Sequence, residues 1–177
     1  WGAERNIVQC RKDYPAWPMP QASIKYQDRD YMRSDEIPTI ELGRGCIFSC
    51  KFCSFTVLGV KGDHSRCGDS LREELLDNYE RWGIRTYTIS DETINDSPEK
   101  LKKIADVIRS LPFKVHLAGY IRADLLVANP ETWQDIWDMG LWSQFYGLES
   151  FNHKAAKYVG KGMRPEKLKE GLLRIKD

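Results

Sequence analysis

Cys46, Cys50 and Cys53 lie in "GRGCIFSCKFCSF" with the spacing C-x3-C-x2-C, three of the chain's five cysteines within eight positions. Thiolates are soft, anionic donors suited to iron–sulfur clusters, and a [4Fe–4S] cluster ordinarily takes four of them. Three thiols in one loop can grip three corners of such a cubane, leaving the fourth iron open to a ligand that is not protein. An open metal position marks a reactive centre, whereas a structural one closes its coordination shell. A structural zinc site completed by Cys67 or His64 is the alternative. Zinc motifs usually carry two C-x2-C pairs, or one with a paired histidine arm. Here there is one C-x2-C and only three scattered histidines, His64, His116 and His153. Cys10 and Cys67 read as unliganded thiols. A non-catalytic electron carrier would want a fourth cysteine at ferredoxin-like spacing and a C-P run, which the sequence lacks.

Positioning three thiols requires a folded scaffold, and 177 residues suit one domain better than two. The composition, 41% hydrophobic and 30% charged, is that of an ordinary soluble domain. No run of about 18 apolar residues suggests a membrane span, and the N-terminus "WGAERNIVQC" has no secretory plan. Clustered cysteines without a secretory signal point to metal or redox chemistry in the cytoplasm rather than to disulfides. A net charge of +1, with both signs interleaved, gives no nucleic-acid footprint and no polybasic membrane patch. The chain opens on Trp1 rather than methionine and is expected to be a fragment or processed piece of a longer protein.

Residues 1–36 read as an irregular extension or linker, since "YPAWPMPQ" places three prolines in six positions. From residue 37 to 177 strands and helices alternate. "TIEL" (39–42) is a strand leading into the cysteine loop. "SLREELLDNYERWG" (70–83) is a helix with Ser70 as cap, Glu73 completing a capping box, and Gly83 as its stop. "IRTYTIS" (84–90) is a strand, and 97–112 a helix with Ser97 as cap and Pro98 at its first position. "KVHLAGYI" (114–121) is a third strand and "NPETWQDIWDMG" (129–140) a helix repeating the cap-then-proline start. "LWSQFYGLE" (141–149) is a fourth strand, and 164–177 a closing helix. Strands spaced by about 30 residues are βαβ units, which implies parallel strands with right-handed crossovers. Four such units cannot close an eight-stranded barrel of about 250 residues. The α/β fold is therefore a partial barrel or an open sheet. Trp133 and Trp137 are expected to pack on the sheet, His116 to be a satisfied core histidine, and the lysines of 154–176 to form a solvated face.

The cysteine segment resembles that of the radical S-adenosylmethionine (SAM) superfamily, whose members carry C-x3-C-x-aromatic-C after the first strand of a (β/α)6 partial barrel; Phe52 is the aromatic here. "YTISDETIND", "AGYIRADLL", "FYGLESFN" and "VGKGMRPEKLKEGL" resemble, in order, the later strand-end segments of that family. The resemblance covers residues 37–177 and implies a TIM-like barrel truncated after its fourth βα unit. Ser90-Asp91-Glu92 departs from the Gly-Gly-Glu of many members. It is closer to the acidic pair of the subgroup related to cobalamin-dependent members, which makes a cobalamin-assisted radical methyltransferase core the second reading.

The resemblance implies a radical SAM enzyme. Its [4Fe–4S] cluster would be held by Cys46, Cys50 and Cys53, and SAM would be cleaved reductively to a 5′-deoxyadenosyl radical that takes hydrogen from an unassigned substrate. Such an enzyme draws its electron from an external flavodoxin- or ferredoxin-like donor. The resemblance further implies that Asp91 or Glu92 meets the SAM ammonium and Arg122 its carboxylate. Glu149 and Ser150 would meet the ribose hydroxyls, and Phe52 would border the adenine.

Overall fold

A computed structural model describes residues 24–54 and 64–176. The prolines of "YPAWPMPQ" and Cys10 lie outside them. In chain order the elements are β1 (Thr39–Ile40), β2 (Gly43–Arg44), β3 (His64–Ser65), α1 (Gly68–Trp82), β4 (Thr86–Ile89) and α2 (Pro98–Arg109). Then come β5 (His116–Ile121), α3 (Ala123–Ala128), a 3-10 turn at Pro130–Thr132, α4 (Trp133–Asp138), β6 (Leu141–Tyr146), α5 (His153–Tyr158) and α6 (Pro165–Lys176).

β1, β4, β5 and β6 form one parallel sheet in that order, each strand beside its predecessor. Sequential order is how a barrel winds; an open doubly wound sheet reverses at a switch point. Side chains alternate across a strand, and here the alternation separates two environments. Tyr87 and Ile89 of β4 and Leu117 and Ile121 of β5 are buried in one core with Leu71, Leu75, Leu101, Ile104 and Ile108 of the helices. The intervening Thr88 and Tyr120 are exposed. Helices thus cover one face of the sheet and leave the other open, as on the inner wall of a partial (β/α) barrel.

Several boundaries differ from the sequence reading, each for a local reason. α1 begins two residues before Ser70, with Cys67 at the cap position and no side-chain cap bond. Ser70 Oγ instead accepts from Nε and Nη2 of Arg66 at 3.1 and 3.0 Å. Arg66, itself buried, also pairs with buried Glu74 at 2.6 Å, fixing the limb that returns from the cysteine loop onto α1. The helix expected over 129–140 is a 3-10 turn followed by α4, because the Asn129 amide donates to Leu125 O rather than capping. Ser97 does cap α2, accepting from the Lys100 amide at 3.1 Å. The short helices α3 and α5 escaped the sequence reading. They carry fewer than two turns of periodicity, too little for a 3.6-residue pattern to register.

Two packing expectations need correction. Trp133 docks with its indole N–H on Leu126 O at 2.7 Å, but Trp137 is 69% exposed. His116 opens β5 rather than sitting mid-strand, rests against Trp142 at 4.2 Å, and its Nδ1 has no hydrogen-bond partner. Within the irregular extension, the stretch around Tyr26 and Asp28 is tied to α1: Arg81 donates to Tyr26 O at 2.9 Å and pairs with Asp28 at 2.7 Å.

The turn into β6 depends on Gly140, which has φ +73° and would place a Cβ 2.0 Å from Val115 O. A left-handed backbone costs a side-chain-bearing residue about 1–2 kcal/mol, and this clash with main chain adds to it. Gly140→Ala should therefore lower stability by more than about 2 kcal/mol, read as an earlier urea midpoint at unchanged m-value.

Candidate functional site

The cysteine loop leaves the end of β1 and is closed at its base by the antiparallel pair β2–β3, Gly43 opposite Ser65 and Arg44 opposite His64. This clasp was not legible beforehand, since two-residue strands carry no periodicity. The loop is held at two further points. Asp91, just beyond β4, accepts from the Leu42 and Gly43 amides through Oδ1 at 2.9 and 3.0 Å. The Lys51 amide donates to Val159 O at 3.2 Å, and Gly160 lets the turn after α5 come close, its absent Cβ lying 3.5 Å from Cys50 Cα.

Cys46, Cys50 and Cys53 line one cavity of about 200 Å3 at the C-terminal ends of the parallel strands. This is where barrels and open α/β sheets bind ligands. Phe52, Glu92, Arg122 and Glu149 line the same cavity. Asp91 and Ser150 do not. The Asp91 carboxylate is buried and faces Lys100 Nζ at 3.6 Å, while Ser150 Oγ accepts from the Asn152 amide in the turn before α5. Of the acidic pair, only Glu92 borders the cavity. Burial raises Asp91 to about pKa 6 despite Lys100 and the two amides. Burial also raises Glu92, against its own amide and Lys100.

Arg122 is 7% exposed. Asp124 holds its guanidinium two-pronged, Nε to Oδ1 at 3.0 Å and Nη2 to Oδ2 at 2.6 Å. Its face lies 3.9 Å from the Phe48 ring, and Nη1 points to Cys50 Sγ at 3.5 Å. Burial by itself would lower the Arg122 pKa, but Asp124 and Cys50 outweigh it and raise it. Arg122 therefore keeps its positive charge in this interior.

The sequence reading missed Phe48, Thr93, Tyr120, Phe145 and Lys161 on the cavity wall. Lys161 is not on the solvated face expected for the lysines of 154–176: it donates to Gly147 O at 3.0 Å and lies 4.0 Å from Glu149 Oε1. Glu149 holds a left-handed backbone with φ 60°, uncommon for a residue other than glycine. Tyr120 and Phe145 face each other at 5.3 Å from paired positions of β5 and β6. Strand alternation predicts that pair once the register is known.

The donor set fits a thiolate-bound cluster: three sulfurs around one cavity, with a buried cation against one of them. Cys67 stands at the start of α1 and does not line the cavity. Among the described residues no three His, Cys, Asp or Glu side chains, the cysteines included, stand close enough together to hold a metal ion. Two larger cavities, of about 380 and 440 Å3, contain no cysteine or glutamate. No helix among the described residues is long and apolar enough to cross a membrane.

Residues 40–177 match the family described as the radical SAM superfamily. The chain is 22% identical over 151 residues to the uncharacterized methyltransferase PH0819 of Pyrococcus horikoshii, covering 84% of this chain and 32% of that protein. Its fold is similar to that of OxsB, a cobalamin-dependent S-adenosylmethionine radical enzyme solved with aqua-cobalamin and S-adenosylmethionine. That likeness has a TM-score of 0.66 and 21% identity over 76% of this chain and 21% of OxsB. It is also similar to the radical S-adenosylmethionine methyltransferase TsrM from Kitasatospora setae, with a TM-score of 0.60 and 18% identity over 85% of this chain and 30% of TsrM. The chain thus spans about a third or less of these proteins. Three thiols after the first strand, a sheet wound as part of a barrel and a family match over most of the length lead to one conclusion: the chain belongs to the radical SAM superfamily.

Proposed function

We propose that this domain holds a [4Fe–4S] cluster through Cys46, Cys50 and Cys53 and presents its open iron to S-adenosylmethionine, as the core of a radical SAM enzyme. The observation that carries this reading is the single cavity in which three thiols meet two carboxylates and two cations. When bound, the cluster and S-adenosylmethionine would supply one-electron cleavage of a carbon–sulfur bond and a carbon radical able to take hydrogen from a substrate.

The chain's own residues bind and orient. Glu92, the member of the acidic pair on the cavity wall, would meet the ligand's ammonium, and that cation would offset the burial that raises its pKa. Lys161, beside Glu149 and donating to Gly147 O, is a second cation on the cavity wall for an anionic group of the ligand, with Arg122 already held by Asp124. Phe52, Tyr120 and Phe145 offer flat apolar surface for an adenine ring and keep water from it. The electron comes from outside, from a small flavodoxin- or ferredoxin-like carrier.

A cobalamin-assisted methyl transfer is the second reading, favoured by the likeness to OxsB and TsrM. One experiment separates the two. The protein is reconstituted anaerobically with iron and sulfide, then given S-adenosylmethionine and a strong reductant, with and without cobalamin. The first reading expects 5′-deoxyadenosine in both arms. S-adenosylhomocysteine formed only with cobalamin favours the second. Loaded protein that binds no S-adenosylmethionine and yields neither product would sink both.

A further inference from the structure

The way Arg122 is held suggests a task other than greeting a ligand. It stands at the position before α3 at the end of β5, and its main chain is clamped by buried Asn95, whose Oδ1 accepts from the Arg122 amide at 2.8 Å and whose Nδ2 donates to Arg122 O at 3.0 Å. Its side chain is fixed on three sides by Asp124, the Phe48 ring and Cys50 Sγ. We infer that Arg122 and Asp124 together set the reduction potential of the cluster that Cys50 would hold, Arg122 raising it and Asp124 moderating that effect. The inference rests on the proposed ligation by Cys50.

The physical reason is charge in a poorly screened place. Reduction adds negative charge that spreads onto the thiolate sulfurs. A cation donating N–H to one of those sulfurs stabilises the reduced state more than the oxidised one. Burial keeps water from screening the contact. Asp124 sits on the far prongs of the same guanidinium, so its negative charge opposes the effect from a greater distance. Arg122 is accordingly a positioning and tuning residue rather than a catalytic one. Removing either partner should move the potential, and the two shifts should have opposite signs.

The test uses the chain reconstituted with iron and sulfide, with midpoint potentials taken from a redox titration followed by electron paramagnetic resonance of the reduced cluster. Arg122→Met should make reduction at least about tenfold harder, a shift of about 59 mV to more negative potential for a one-electron couple. Asp124→Asn should shift the potential the other way, and Arg122→Lys, which keeps the charge without the fork, should recover part of the loss. Iron and sulfide content is measured for each. If Arg122→Met does not load, the sign of the Asp124→Asn shift decides alone. Loaded variants with unchanged potentials, or with both shifts of one sign, overturn the inference while leaving the cluster assignment standing. Wild-type protein that takes up no iron and sulfide overturns both.

Discussion

Cys50→Ala is expected to abolish cluster assembly. Changes outside the ligand sphere of a metal site cost roughly 10–100-fold in affinity, and loss of a donor atom should exceed that. Cys50 is also the thiol against which Arg122 rests, so the variant leaves a buried cation facing an apolar methyl group. Iron and sulfide measured after anaerobic reconstitution should fall to background, and the brown chromophore should be absent. Cys67→Ala is the matched control. Its thiol lies outside the cavity, and full loading is expected. Full iron content in Cys50→Ala would remove Cys50 from the ligand set, and about one zinc per chain without sulfide would point to a structural ion instead.

Asp91→Ala should be the most destabilising change near the site that spares the thiols. It leaves the buried amides of Leu42 and Gly43 without their acceptor and takes from Lys100 one of its two carboxylates, Asp96 remaining at 3.2 Å. Breaking a buried pair by removing one partner costs about 3–5 kcal/mol. Cluster loading should fall as well, because those amides belong to the residues that lead into the cysteine loop. Asp91→Asn keeps an acceptor for both amides and should cost clearly less.

The pH dependence separates the two contributions of Asp91. Its carboxyl titrates at about 6 in the folded protein against 3.8 for the ordinary group, so the folded state binds the proton more tightly. The stability this gives is fully present below about pH 4 and is lost as pH rises through about 6, a change on the order of 3 kcal/mol. Asp91→Asn has no such titration. Its stability relative to the wild type should therefore improve between pH 4 and pH 7 in urea unfolding; a constant difference would mean that Asp91 is not held as the fold implies.

How much of this was legible beforehand varies residue by residue. The grouping of the three cysteines on one loop was readable because residues within eight positions need no tertiary information to be brought together. The caps of α2 and the glycine stops after α1 and α4 were readable for the same reason, being contacts within a few residues. Glu92 and Asp91 could not be told apart in the sequence. Neighbouring residues after a strand point to opposite sides, and which side is cavity depends on where β1 and its loop pack. Lys161 was equally invisible, since nothing in a lysine-rich segment says which one bends back toward Gly147.

The sequence alone determined the three-cysteine loop, the alternation of strands and helices, and hence a parallel barrel-like α/β chain, because each of these is written in spacing over a turn or a strand. Tertiary structure decided the rest. It sent Asp91 inward to hold the loop and Glu92 outward to the cavity, gave Arg122 to Asp124 and Cys50, and brought Lys161 and Glu149 to the opposite wall. Those outcomes depend on burial and on partners many residues away in sequence, and local spacing does not encode either.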